Sequence, residues 1–340
     1  MRRLLTTLVT LLVLGAAPAP AASGPADSWA KEQIETVVAA GLMAPSVEEF
    51  RPDDPLTKGE LGEIVTALGG TPPSAALDGS APVKLRELDT ALVRALGLGP
   101  AAKHVRSALA AAGLTPRPYV GTEVVARLLG LRVNHPQEEE RLELLPDDPA
   151  SRAEAAYSLA RVIALRASGE AEAVAAQVAA FSAPKLSEWQ RLVLQRAVGF
   201  VGYPYVWGGS SENPQAPFGK PAPGGFDCSG FVWRVYKLEP FAGGGSLAEV
   251  LKGRTTYVMS GEVGPERRIS FAAILPADVL FFGSHGPRSK PSQVGHMGIY
   301  LGNGWFVHSS GRGTTIAPLD GWYSTSFAWG RRPLAEAGLG

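Results

Sequence analysis

A single cysteine is the feature that most constrains this chain of 340 residues. Cys228 has no second cysteine with which to form an internal disulfide, so hydrophobic cores rather than covalent cross-links must hold the fold together. The length exceeds that of one typical domain, and we expect two folded parts. Cys228 itself is then either a reactive thiol or a small buried core residue.

The residues around Cys228 are compatible with both interpretations. Gly224 and Gly225 precede the segment Phe226-Asp227-Cys228-Ser229-Gly230, and an apolar stretch with helical potential follows. A cysteine in the first turn of a helix lies at the positive end of the helix dipole, which stabilises the thiolate that attacks a carbonyl. Asp227 stands where a helix cap is expected.

Two histidines supply the imidazole and the orienting group that a cysteine nucleophile needs. His296 and His308 lie in residues 294–309, which predict a strand, a Gly-Asn-Gly turn and a second strand. A three-residue loop at 302–304 pairs Ile299 with Val307 and Leu301 with Trp305. Both histidines then share the opposite face, within side-chain reach. A two-residue loop places them on opposite faces unless a bulge intervenes.

The other histidines are weaker candidates for a general base. His285 lies in Gly283-Ser284-His285-Gly286-Pro287, a loop pattern with nothing to fix an imidazole. His104 and His135 lie far upstream, where surface or capping roles are expected.

Residues 186–332 resemble the NlpC-type cell-wall cysteine peptidases, a papain-like family. Five segments match in order: Gly202 to Gly209, Phe226 to Val232, Pro276 to Phe282, Gly295 to Tyr300, and Trp329 to Arg332. Ala277 replaces the glycine that is usual in the third segment. The resemblance implies an α+β domain over 185–334, in which a helix carrying the cysteine packs against an antiparallel sheet carrying the histidines.

The same resemblance assigns roles to individual residues. It implies that Cys228 is the nucleophile, that His296 is the general base and that His308 orients it. Tyr205 would help to shape the oxyanion region, while Asp227 and Ser229 would line the substrate cleft. The Cys228 backbone N–H is a further oxyanion donor, since amides at a helix start are unpaired. No metal or other cofactor is needed. Tyr205 and Trp207 also fit as packing aromatics, and Asp227 as a plain helix cap.

Two segments depart from the common pattern of the family. The bridge between Gly209 and Phe226 is long and rich in Pro, Gly, Ser and Asn, and we expect this 210–225 loop to flank the cleft and to gate substrate access. The stretch from Gly243 to Ile274 is also long. The resemblance implies that Arg254-Thr255-Thr256 falls on a helix before the central strands.

The N-terminal half contains an internal repeat. Thr57-Lys58-Gly59-Glu60 and Ser151-Arg152-Ala153-Glu154 each follow an Asp-Asp-Pro turn, and each has the spacing of a capping box. Residues 105–129 predict a fainter middle copy, with a helix from Thr122 and without the motif. Repeated units of this size stack on one another.

This half, residues 27–166, resembles S-layer homology repeats, an all-α module that binds anionic wall polymers. The resemblance makes Lys58 and Arg152 candidate polymer-binding residues. The competing interpretation is a helical scaffold whose caps merely start helices, and a charge of 15 Lys and Arg against 22 Asp and Glu over 23–180 favours that alternative. Residues 167–184 predict a helical connector.

The first 22 residues predict a cleaved export signal. Arg2 and Arg3 precede an apolar core from Leu4 to Leu14, and small residues follow as far as Ala22. That core is too short for a transmembrane anchor, and no other segment predicts one. The net charge of zero gives nucleic-acid binding no electrostatic support. We therefore expect a secreted protein of the cell wall.

The sequence thus predicts a secreted peptidoglycan endopeptidase. Its substrates are stem peptides, and the resemblance implies cleavage between γ-D-glutamate and a diamino acid through a thioester. Secondary wall polymer is a further candidate partner, and the oligomeric state stays open. One alternative is a cell-wall amidase or acyltransferase on the same scaffold. The other is a non-catalytic wall-binding protein that acts through its N-terminal repeats.

Overall fold

The computed structural model describes residues 24–72 and 79–340. The predicted export signal, residues 1–22, lies outside the described residues. Within the described part of the chain, every helix is too short or too polar to cross a bilayer. Residues 24–72 and 79–181 form an N-terminal module, and residues 185–340 form a C-terminal domain.

Helices make up the regular structure of the N-terminal module. Each presents an apolar stripe to a shared core that includes Ile34, Leu61, Leu88 and Leu159. The helices are α1 Lys31–Ala39, α2 Lys58–Ala67, α3 Leu85–Ala95, α4 Gly99–Ala111, α5 Val120–Leu128, α6 Arg152–Ser168 and α7 Glu170–Ala179.

Three short extended segments meet in a ring at the starts of α2, α3 and α6. The amide of Leu56 donates to Ala150, that of Ala150 to Val83, and that of Val83 back to Leu56, each at 2.8 Å. The middle segment opens α3, where the Glu87 carboxylate accepts from the Lys84 amide at 3.0 Å. The prediction that residues 105–129 form the middle copy, with a helix from Thr122 and without the motif, is therefore wrong, because Lys84-Leu85-Arg86-Glu87 occupies the equivalent place.

Only the first of the two predicted capping boxes closes fully. Thr57 caps α2, and the Glu60 carboxylate returns to the Thr57 amide at 2.8 Å. Ser151 caps α6 in the same way. The Glu154 side chain instead lies 3.4 Å from the buried His135 ring. The capping-box prediction is thus wrong in its second half at Glu154.

The C-terminal domain is built on a five-stranded antiparallel sheet of order β6-β5-β4-β3-β7. Its strands are β3 Val279–Gly283, β4 Val294–Gly302, β5 Trp305–Ser310, β6 Gly313–Pro318 and β7 Phe327–Arg331, and a separate pair joins β1 Ser210–Ser211 to β2 Gly225–Phe226. Its helices are α8 Glu188–Gly199, α9 Cys228–Tyr236, α10 Leu247–Val250, α11 Thr256–Gly261, α12 Gly321–Ser326 and α13 Pro333–Glu336. Helix α9 packs across β4 and β5, which is the predicted α+β arrangement of a cysteine helix on a histidine-bearing sheet.

The turn between β4 and β5 differs from the three-residue loop that the sequence favoured. Asn303 and Gly304 form a two-residue connection with φ of 50° and 80°, and Gly302 pairs with Trp305. The register then shifts between Tyr300 and Gly302, and Ile299 faces Val307 as predicted. The predicted pairing of Leu301 with Trp305 is wrong. The bulge restores the alternation that a two-residue loop alone would have inverted.

Ala277 adopts a backbone conformation that favours glycine. Its φ is 71°, and its amide donates to the Tyr300 carbonyl at 2.8 Å at the start of β3. A left-handed conformation costs a residue with a Cβ about 1–2 kcal/mol. This geometry explains why glycine is usual at this position in the NlpC-type peptidases that the segment resembles.

The two parts of the chain are joined by a buried arginine. Arg127 of α5 donates to the carbonyls of Gly202, at 2.5 Å, and Arg312, at 2.6 Å, in the C-terminal domain. Glu123 and Asp89 supply nearby carboxylates, and Arg132 bonds Asp89 at 3.0 Å. Two backbone carbonyls and a charged network thus fix α5 against the start of the Gly202–Gly209 segment.

Candidate active site

Cys228 is the first residue of α9, as the sequence predicted. Asp227 caps this helix, and its Oδ1 accepts from the Gly230 amide at 2.5 Å. A Cβ added at Gly230 would lie 1.8 Å from the Gly209 carbonyl oxygen. Glycine at position 230 therefore allows the cysteine helix to approach the Gly202–Gly209 segment closely.

The Cys228 thiol is 7% exposed and faces three hydrogen-bonding groups. Thr256 Oγ1 lies 3.4 Å from Sγ. The backbone amides of Met297 and Ser229 also reach the sulfur. Burial first, and then the Asp227 charge, raise the pKa of the thiol to about 11, while the three donors oppose that rise. The thiol is therefore protonated at neutral pH in the free protein.

His296 and His308 are hydrogen-bonded to each other. Nε2 of His296 and Nδ1 of His308 are 2.9 Å apart, so the prediction that the two rings share a face is confirmed. Burial lowers the pKa of His296 to about 4 and that of His308 well below its usual value, with His296 and Arg312 adding to the second shift. Both imidazoles are neutral at pH 7, and Met297, whose amide meets the thiol, directly follows His296.

Aromatic rings surround the histidine pair. The Phe306 ring stacks on His308 with the centroids 4.4 Å apart, and the Tyr323 ring lies 5.8 Å from His296. Phe282 and Trp322 lie 5.7 and 6.4 Å from His296. This shell explains the lowered pKa values of the two rings. Sequence reasoning missed Trp322 and Tyr323, which lie on α12 between the fourth and fifth matching segments.

Tyr205 lies beside the cysteine helix in a short extended segment. The Val206 amide donates to the Phe226 carbonyl at 3.3 Å, and the Phe226 amide donates to Pro204 at 3.2 Å. Tyr205 forms an isolated bridge with Phe226, two residues before Cys228. Burial and then the negative charge of a Cys228 thiolate raise the pKa of the Tyr205 phenol. Trp207 is half exposed, and Gly208 donates to Asp227 Oδ2 at 3.0 Å.

Arg254 ties the cysteine segment to the Gly202–Gly209 segment, a role that the sequence did not indicate. Its guanidinium donates to Ser229 Oγ at 2.7 Å and to the carbonyls of Gly208 and Gly209 at 2.9 and 3.1 Å. Ser229 in turn donates to Asp227 Oδ1 at 2.8 Å. Arg254 and Thr255 precede α11, which begins at Thr256. Of the three residues predicted to lie on this helix, the first two are therefore its N-terminal flank.

The remaining histidines do not join this cluster. His285 lies exposed after β3, where Nδ1 is 2.9 Å from its neighbour Ser284. His104 bonds the Phe181 carbonyl at 2.9 Å. His135 is buried in the N-terminal module, against Trp29 and Glu154. No contact links any of them to Cys228 in the described residues.

The two candidate polymer-binding residues lie in the N-terminal module. Arg152 is 2% exposed; it bonds Glu60 and donates to the carbonyls of Phe50 and Met43, each at 2.7 Å. Its guanidinium also borders a cavity of about 300 Å³ with Arg51 and Glu60. Lys58 is the first residue of α2 and is half-buried.

The predicted 210–225 loop folds as a hairpin beside the cleft. Ser210 pairs with Phe226, and Gln215 pairs with Ala222. At its tip Phe218 is 77% exposed and presses on Gly208, where an added Cβ would lie 2.5 Å from the ring. Lys220 forms a 3.2 Å ion pair with Glu138 of the N-terminal module. The gating role of this loop stays a prediction.

A buried thiol at the start of a helix, packed on an antiparallel sheet that carries a histidine pair, defines the papain-like class of fold. Residues 202–332 match the model of the NlpC/P60 family, and residues 24–61 match the model of the S-layer homology domain. The C-terminal part of this chain is therefore similar to the NlpC/P60 family over residues 202–332.

Three bacterial relatives show similarity over the C-terminal part. The probable peptidoglycan endopeptidase LytE of Bacillus subtilis is 33% identical over 37% of this chain and 29% of its own length. The bifunctional muramidase/DL-endopeptidase CwlT of the same organism is 30% identical over 40% of this chain and 34% of its length. The murein DD-endopeptidase MepH of Escherichia coli is 28% identical over 39% of this chain and 40% of its length. The chain thus spans well under half the length of each of these relatives.

Proposed function

We propose that this protein is a cell-wall peptidoglycan endopeptidase that hydrolyses stem-peptide bonds with Cys228, His296 and His308. The observation that carries the proposal is the 2.9 Å hydrogen bond between the two histidines, on the strand pair that packs beneath the buried thiol. The NlpC/P60 match and relatives named as endopeptidases support the same activity.

The neutral histidine pair fits the role of a general base. If Nε2–H of His296 donates to His308 Nδ1, then Nδ1 of His296 keeps its lone pair and is free to accept the thiol proton. Positive charge that develops on His296 is stabilised by the His308 lone pair. His308 therefore fixes both the tautomer and the orientation of the base.

In the reaction, the Cys228 sulfur attacks the carbonyl carbon as its proton passes to His296. The tetrahedral oxyanion accepts a hydrogen bond from the Cys228 amide at the start of α9, and Tyr205 lies beside it. His296 then protonates the leaving amine, the C–N bond breaks and a thioester remains. Water, deprotonated by His296, hydrolyses the thioester and releases the acid and the thiol. Asp227 and Ser229 border the peptide and hold the first turn of α9.

The proposed bond is that between γ-D-glutamate and the following diamino acid. The name of CwlT specifies a DL-endopeptidase, whereas the name of MepH specifies a DD-endopeptidase. Loops shape peptide specificity, and the hairpin at 210–225 is one of the two segments that depart from the common pattern. Cleavage products are therefore the measurement that identifies the bond.

The N-terminal module is proposed to place the enzyme at the cell wall. The S-layer homology match at residues 24–61 and the ring that joins three similar helix starts support three repeats of that kind. Lys58 and the cavity bordered by Arg152 are the proposed contact points for secondary wall polymer. An amidase or acyltransferase activity on the same scaffold, and wall binding without catalysis, are the outcomes that the experiment must separate from peptidase activity.

Digestion of purified peptidoglycan by the wild-type protein and by Cys228→Ala tests the proposal, with products read by mass spectrometry. We expect fragments with new amino and carboxyl ends from the wild type alone. Release of sugar-free peptides cut at lactyl-L-alanine would identify an amidase instead. Equal products from both proteins, or wall binding without products from either, would overturn the endopeptidase function.

A further inference from the structure

The Tyr205–Gly208 segment lies between the cysteine segment and the N-terminal module. In an extended chain, successive amides point to opposite sides. The Val206 amide faces Phe226, next to the cysteine helix. The amides of Tyr205 and Trp207 face the other way, where a lone edge would leave them unpaired.

Two side chains of the N-terminal module occupy that second side. Asn134 Oδ1 accepts from the Tyr205 amide at 3.0 Å, and Glu140 Oε1 accepts from the Trp207 amide at 2.5 Å. Glu140 is 2% exposed, and its second oxygen has no hydrogen-bond partner in the described residues. A buried carboxylate of the N-terminal module therefore accepts a hydrogen bond from the backbone of the C-terminal domain.

The segment that carries Asn134 and Glu140 is itself anchored in the module. The His135 amide donates to Glu143 at 2.5 Å, and the His135 ring meets Glu154 and packs edge-on against Trp29. Glu154 belongs to α6, which starts at the three-way ring. A continuous set of buried contacts thus runs from the repeats to the wall of the cleft.

We propose that Asn134 and Glu140 are positioning residues of the active site. By accepting from the Tyr205 and Trp207 amides, they hold this backbone segment against Phe226, two residues before the Cys228 thiol. The N-terminal module is accordingly a structural part of the cleft and not only an attachment device. This inference rests on the proposed peptidase function for its kinetic readout, but its structural readout is independent of any substrate.

Variants of the full mature chain test the proposal. Glu140→Ala removes the acceptor, Glu140→Gln keeps an acceptor without the charge, and Asn134→Ala removes the second acceptor. Gln195→Ala is the matched control, since Gln195 bonds Thr115 across the same two parts of the chain without touching residues 205–208. All variants are compared at a temperature where each is fully folded.

We expect the amides of residues 205 and 207 to exchange hydrogen faster in the two alanine variants, and kcat to fall about tenfold with little change in KM, as for the loss of one well-placed hydrogen bond. Glu140→Gln and Gln195→Ala should retain wild-type exchange and kcat. Unchanged exchange in Glu140→Ala, or an equal loss in Glu140→Gln, would overturn the positioning role. If the wild type cleaves no stem peptide, the exchange result still decides this inference, while the peptidase function fails separately.

Discussion

At the scale of single residues, the Cys228 thiol and its proposed proton acceptor, His296, are both neutral in the free protein. Burial raises the pKa of Cys228 and lowers that of His296. A preformed thiolate–imidazolium pair is therefore not the resting state that this geometry supports. The helix start and the three donors at the sulfur act on the thiolate when it forms, which is differential stabilisation of the reacting state.

The Thr256 hydroxyl is the hydrogen-bonding group at the sulfur that a single substitution can remove while the side chain keeps its shape. Thr256→Val keeps the branched side chain but loses the hydroxyl 3.4 Å from Sγ, whereas Thr256→Ser keeps the hydroxyl. We expect the valine variant to need a higher pH for alkylation of Cys228 by iodoacetamide, and its kcat to fall about tenfold.

The wild-type alkylation rate should rise toward a midpoint near pH 11, the pKa of the buried thiol. The midpoint should move upward in Thr256→Val, because the lost hydrogen bond stabilises the thiolate more than the thiol. The serine variant serves as the control and should titrate like the wild type. Identical alkylation profiles for the valine variant and the wild type would exclude a role for Thr256 at the sulfur.

At the scale of secondary structure, the β4–β5 pair brings the two histidines together. A Cβ at Gly298 would lie 2.7 Å from the Phe306 ring and 3.0 Å from His308 Cβ. Absence of a side chain at position 298 therefore lets β5 place His308 against His296. The bulge near Leu301 and this glycine together set the geometry of the pair.

Gly298→Ala is expected to displace β5 and to break the histidine hydrogen bond. We expect kcat/KM to fall by about a hundredfold, in line with the loss of an oriented base. Gly295→Ala in the same strand is the matched control, since no atom lies within 4 Å of its added Cβ. Steady-state kinetics and the crystal structure of the Gly298→Ala variant check the expectation; wild-type activity with an intact His296–His308 bond would refute it.

Much of this level of organisation follows from sequence. The cysteine helix, the histidine strands and their shared face arise from local rules of alternation, turn chemistry and capping. The loop length could not be decided locally, because Gly302-Asn303-Gly304 permits both a three-residue loop and a two-residue turn with a bulge. Asn134, Glu140, Arg254 and Thr256 reach the site through tertiary contacts, for which a single sequence carries no periodic signal.

The middle helix start was within reach of sequence analysis. Proline stands two residues before the cap and glutamate three residues after it at Pro55, Pro82 and Pro149 alike. Lys84 conceals the pattern, because a lysine at the cap lacks the short side-chain oxygen of Thr57 or Ser151. The backbone spacing, rather than the identity of the cap, was the informative feature.

At the scale of the whole molecule, a buried arginine holds the N-terminal module together. Arg152 bonds two backbone carbonyls and Glu60, and its guanidinium lies 4.9 Å from the Phe50 ring centroid. These partners leave its charge satisfied inside the module. A basic residue in this place stabilises the helix starts, whatever it contributes to a polymer.

Arg152→Ala should therefore lower the free energy of unfolding by about 3 kcal/mol, as for other buried charges that lose their partner. Lys58→Ala, at the equivalent position of the first motif but half-buried, should change it by less than about 0.5 kcal/mol. Chemical denaturation of the full mature chain measures both values. Equal stability of the two variants would contradict the structural role assigned to Arg152.

The ring formed by Leu56, Val83 and Ala150 fixes the number of repeats in the N-terminal module. In an open array of repeats, each end can accept another unit, and a unit can be removed at modest cost. Here each of the three segments donates one backbone hydrogen bond and accepts one within the ring. The ring therefore has no free position for a fourth segment. A repeat therefore cannot be inserted or deleted alone, because any change in the number of repeats would break the hydrogen bonds of the ring.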